Sequence, residues 1–149
     1  MDRILFFNLL QVLASGYALL RGGAPERLTG AALLLAAIGT RLIMQQAEFN
    51  YLQLEAGVLA IDVALLCILA ATAVLADRYW TFWLTALHAL GTGAHVAKAL
   101  DPSVLPTAYG ILAAAWSYPM LLLLAVGTRR HRLRLDRSGG DLDWSLQGR

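Results

Sequence analysis

The apolar positions of this chain fall into five long runs, Ile4–Leu20, Leu28–Met44, Ala56–Ala76, Tyr79–Leu100 and Val104–Gly127, separated by short polar or Gly/Pro-bearing connectors. An α-helix needs about 20 apolar residues to cross a hydrocarbon core about 30 Å thick. The pattern therefore predicts an all-α, polytopic transmembrane bundle of five spans over 1–128, followed by a basic tail over 129–149. The third and fifth runs are the most uniformly apolar, whereas the first carries Asn8 and Gln11 and the fourth carries His88 and His95. The connectors read as tight helical hairpins. Gly22-Gly23 ends one run and Pro25 opens the next, while Asp77-Arg78 leaves so little chain that the third and fourth helices must be antiparallel neighbours. Pro119, inside the fifth run, is expected to kink it.

Polar residues within the runs are ordered. Thr81, Thr85, His88, Thr92 and His95 keep one face of the fourth helix polar, and Asn8, Gln11 and Ser15 do the same on the first. Such faces turn inward, where hydrogen-bond partners exist. Because the third and fourth helices meet at a hairpin near Asp77-Arg78, positions whose numbers sum to about 155 share a depth. Asp62 then lies about half a turn from His95, and His88 lies level with Cys67. Arg41, Lys98, Tyr109, Asn8 and Gln11 belong to the same half of the bilayer, opposite the tail, and the tail half reads as almost purely apolar. The candidate site is thus a one-sided polar pocket formed by Asp62, His95, His88, Lys98, Arg41, Tyr109, Asn8 and Gln11. A carboxylate at the depth of Asp62 needs a proton or a cation, and Arg41, His95 and Lys98 are in range.

Other positions read as packing. Gly57, Ala60, Ala64, Cys67 and Ala71 make a small-residue face on the third helix that invites close approach of a neighbour. Tyr79, Trp80, Phe82 and Trp83 read as an aromatic anchor at the membrane interface.

Composition removes the soluble alternative. The chain has 149 residues, 58% apolar and 15% charged, and Leu and Ala supply 57 of them. So much apolar surface cannot be hidden inside a 16.1 kDa globule. The net charge is +2, yet 129–149 holds six Arg against three Asp, so the basic excess belongs to the tail. By the positive-inside rule this puts the C-terminus in the cytoplasm and, with five spans, the N-terminus in the periplasm of a bacterial inner membrane. The preponderance of Arg over Lys fits a GC-rich bacterial source. Arg3 ahead of an apolar stretch ending Ala14-Ser15-Gly16 also fits a signal peptide, but its cleavage would leave four spans and an outside tail.

Candidate chemistry is sparse. His88 and His95 are about 10.5 Å apart along one helix, too far to share a zinc ion, so no metal is expected. A second haem ligand would have to be Met44 or Met120, expected at opposite ends of their spans, so no cofactor is expected either. No phosphate loop, nucleophile elbow or Cys-x-x-Cys pattern occurs, which leans against an enzyme. Arg129, Arg130, Arg132 and Arg134 are suited to lipid headgroups rather than to nucleic acid. The 141–149 segment reads as a flexible end with Leu142, Trp144 and Leu146 as a docking patch. The expected partners are the bilayer and other membrane subunits or further copies of the chain. The leading expectation is an accessory, scaffold or assembly component of a larger membrane complex. The alternatives are a small transporter or channel using Asp62 and His95 as a proton-responsive pair, or a membrane-embedded enzyme acting on a lipid or quinone.

Overall fold

The structure, a computed structural model, describes residues 2–46, 51–76, 78–100 and 115–144. It is all-helical, with five helices among the described residues: α1 (Asp2–Arg21), α2 (Ala24–Gln46), α3 (Tyr51–Leu75), α4 (Tyr79–Leu100) and α5 (Ser117–Ser138). Each of the first four packs on the next, and α5 packs on both α4 and α1, closing the chain order into a ring. The core is aliphatic, built from Ala14, Ala18, Leu33, Leu65, Leu69, Leu84, Leu121 and Leu124. Phe7 and Tyr118 meet edge-to-face at 5.2 Å where α1 meets α5.

Among the described residues, three helices have the length and apolarity to cross a membrane: Arg3–Arg21, Ala24–Gln45 and Ala56–Leu75, with mean hydropathies of 1.5, 1.5 and 2.7. The full set of five spans is not reproduced. In α4 the threonines and histidines dilute the apolar content. The expected fifth span divides: Val104 to Ala114 lie outside the described residues, and α5 runs from Ser117 through Gly127 into the arginine cluster as far as Ser138. The expected boundary between bundle and tail therefore falls within one helix. Pro119 stands in the first turn of α5, where its missing N–H is harmless, and the kink expected there would involve residues 104–114, which lie outside the described residues.

Of the small-residue face on α3, Gly57 lies close against Ile43 of α2. Leu65, Leu69, Thr72 and Ala73 face the core, while Ala60, Ala64, Cys67 and Ala71 are exposed. The reason lies on α4, whose inward polar side chains bond α3 backbone oxygens: Thr85 Oγ1 donates to Leu69 O at 3.1 Å, and His88 Nε2 to Asp62 O at 3.0 Å. Those bonds fix which face of α3 is inside. Trp80 leaves the aromatic anchor as well, being buried against Gly127 while Tyr79, Phe82 and Trp83 point out.

The end of the chain is not a loose tail as far as it is described. Gly139 adopts φ 67°, the left-handed conformation that glycine takes without a Cβ clash, and its N–H caps the helix by donating to Leu135 O at 2.9 Å. The chain reverses there, so Asp141 and Asp143 reach Arg78, and Trp144 pairs with Ala76 in a single antiparallel bridge.

Candidate functional site

Two polar clusters occupy opposite ends of the bundle. The first lies at the end away from the arginines, where the N-terminal parts of α1, α3 and α5 meet the C-terminal part of α2. They surround an open groove of about 380 Å³ whose walls include Asn8, Gln11, Arg41, Asp62 and His88. Gln11 is buried and its Nε2 donates to Leu33 O at 2.9 Å, tying α1 to α2. Because a carbonyl oxygen only accepts, His88 bonds Asp62 O through a protonated Nε2, and His88 reaches a full turn from the level of Cys67. Cys67 itself points outward.

Asp62 and His95 are in contact. His95 Nε2 stands 3.3 Å from Asp62 Oδ2, with both side chains about four-fifths buried, at 20% and 19% exposure. Protonated, the imidazole forms an ion pair with the carboxylate; neutral, it shares a hydrogen bond. The pair can therefore share one proton between two atoms. Lys98 is half-buried on α4, one turn beyond His95. Tyr109 lies outside the described residues. Met44 and Met120 do not stand at opposite ends, because α5 begins at Ser117 and brings Met120 to the groove that Met44 also lines.

The second cluster lies at the tail end of the bundle, where the helix connectors meet the segment after α5. Arg78, in the α3–α4 connector, donates through Nη2 to Asp141 Oδ2 at 2.6 Å, and its Nε lies 3.5 Å from Glu26 Oε1. Asp141 also bonds His131 Nδ1 at 2.6 Å and accepts from Arg134 Nε at 2.8 Å. Asp143 Oδ1 lies 3.8 Å from Arg78 Nη2. Glu26, in the first turn of α2, is wholly buried, and neither of its oxygens accepts a hydrogen bond. Burial alone would push the Asp141 carboxyl up, but the hydrogen bonds from Arg134 and His131 and the charges of Arg78 and Arg134 outweigh it. They hold that carboxyl below the usual range.

Sequence reasoning missed this cluster because its members sit in turns and in a tail, each unremarkable by itself. The available signal was geometric. Glu26 and Arg78 lie in connectors at the same end of an antiparallel bundle, and two aspartates follow the Gly139-Gly140 pair. Of the arginines expected at lipid headgroups, Arg129 and Arg130 are exposed, Arg132 is half-buried, and Arg134 is bonded to Asp141 with 39% of its side chain exposed. Arg130, Arg134 and Arg137 line one concavity beside Tyr79. Although no metal was expected, Glu26, His131 and Asp143 bring three ligand-type atoms within 4.8 Å of one another. Comparison with family models, curated proteins and solved structures finds no match to this chain.

Proposed function

We propose that this chain is a small multi-pass protein of the bacterial inner membrane that binds the polar end of an amphipathic, membrane-borne molecule in its groove. A lipid or a quinone is the class that fits. The Asp62–His95 contact at 3.3 Å carries this reading, because it stands next to a groove whose walls also hold Arg41, Asn8 and Gln11. Intramembrane ionisable groups are costly and mark substrate or proton pathways. In this reading Arg41 attracts an anionic or carbonyl-bearing head, and Asp62 with His95 takes or gives the proton. The assignment is to binding, not to bond breaking. The arginine excess of the C-terminal segment supports a cytoplasmic tail and a periplasmic N-terminus, and Arg130 and Arg134 are suited to anionic headgroups. Native mass spectrometry of protein released from nanodiscs tests the reading. A retained lipid or quinone, lost in Asp62→Asn and Arg41→Ala, is expected; a wild-type protein retaining none overturns it.

A second reading, an accessory subunit of a larger complex, is favoured by one observation: the small-residue stripe Ala60, Ala64, Cys67 and Ala71 faces outward on α3. Such stripes let another transmembrane helix approach closely. Stoichiometric co-purification with a larger partner in mild detergent, abolished by Ala64→Leu, is its expected result. Recovery of the chain alone counts against it.

A further inference from the structure

We infer that Glu26, His131 and Asp143 form a binding site for one divalent transition-metal ion, with Asp141 as the residue that orients His131. Four observations converge on this. The Glu26 carboxylate is wholly buried and neither oxygen accepts a hydrogen bond, the nearest cation being Arg78 Nε at 3.5 Å. A buried carboxylate in that state is costly until a cation meets its lone pairs. One ligand-type atom from each of Glu26, His131 and Asp143 lies within 4.8 Å of the other two. Bonds of about 2.0–2.2 Å to a zinc-sized ion require only a modest contraction of that spacing.

The third observation concerns the imidazole. His131 Nδ1 is committed to Asp141 Oδ2 at 2.6 Å, which fixes the ring and leaves Nε2 as the ligand nitrogen. A metal-binding histidine held through its other nitrogen by a carboxylate is the usual outer-shell arrangement. Finally, the space among the three ligands exists because residue 23 is glycine. A Cβ there would stand 2.8 Å from His131 Cε1 and 3.1 Å from Glu26 Oε2, closer still to Asp143 Oδ1.

Charge agrees with a cation. Three carboxylates, those of Glu26, Asp141 and Asp143, gather around Arg78 and Arg134. Arg78 Nη2 donates to Asp141, and its Nε stands 3.5 Å from Glu26 Oε1 without a hydrogen bond. One nitrogen and two carboxylates suit Zn²⁺, Mn²⁺ or Fe²⁺. Ca²⁺ would need six or more oxygens.

The test uses the full chain, purified in mild detergent, stripped with EDTA and dialysed against buffer containing ZnCl₂. Elemental analysis is expected to find one zinc per chain. Glu26→Gln is expected to abolish retention. Asp141→Asn, which keeps the three ligand side chains but loosens both the His131 ring and the segment that carries Asp143, should weaken it about 10–100-fold. Wild-type protein that retains no zinc, or uptake unchanged in Glu26→Gln, overturns the inference. If either variant fails to elute as the wild type does, the wild-type chain decides alone through added Co²⁺. Visible ligand-field bands that vanish when EDTA is added support the site, and their absence refutes it.

Discussion

Arg78 Nη2 and Asp141 Oδ2 lie 2.6 Å apart although 63 residues separate them in sequence. That contact pins the reversed C-terminal segment to the α3–α4 connector, and Glu26 joins the same guanidinium from α2. Since Arg78 is 5% exposed, removing it leaves buried carboxylates without their cation. Arg78→Ala should therefore lower stability by about 3–5 kcal/mol. Thermal unfolding in detergent would register this, and limited proteolysis should open the chain after Gly139. A variant unfolding like the wild type would contradict the assigned role.

The docked segment should also respond to acid. Asp141's carboxyl is held below its ordinary range, so docking is fully favoured above the free carboxyl's pKa, about 4. It is lost as pH falls through the lower, docked value. Glu26, Asp143, His131, Arg78 and Arg134 all face this carboxyl or its neighbours, so the step is read by comparison with Asp141→Asn. Fluorescence of Trp144, which bridges Ala76, should change below about pH 4 in the wild type. In Asp141→Asn that acid step should be missing.

Trp80 and Gly127 offer a packing test. A Cβ on residue 127 would stand 2.7 Å from the indole ring, so Gly127→Ala forces the ring or α5 to move. Overpacking of this kind costs about 1–3 kcal/mol. The melting temperature should fall, and adding Trp80→Leu should recover part of the loss. An unchanged melting temperature would mean that α4 and α5 are not in this register.

Cys67 reports the rotation of α3. It is the chain's single cysteine and faces outward. In sealed vesicles it should react with a membrane-permeant maleimide and not with a charged, impermeant one. If copies of the chain pair through the outward stripe, copper-phenanthroline oxidation should give a disulfide-linked dimer that Ala64→Leu suppresses. Rapid labelling by the charged reagent would place Cys67 in water and refute a lipid-facing stripe.

Much of the groove end was legible in the sequence. The i, i+4, i+7 repeat of polar residues on α4 located its inner face, and the short Asp77-Arg78 connector fixed the α3–α4 register well enough to bring Asp62 to His95. What periodicity could not fix was the rotation of α3. Its low-amphipathicity sequence is apolar all round, and only the carbonyls sought by Thr85 and His88 decide its facing. Nor could local pattern reveal the Arg78 cluster. Its members come from α2, a connector, α5 and the segment after Gly139, and only three-dimensional closure of the ring makes them neighbours.

The chain reversal at Gly139 has a temporal consequence. During synthesis Glu26 and Arg78 emerge long before Asp141, so for that interval one guanidinium faces one carboxylate at the mouth of a half-built bundle. Asp141 and Asp143, made later, then tie the α3–α4 connector to the segment after α5. Chains cut short before residue 141 would therefore lack the two aspartates that tie Arg78 to the segment after α5.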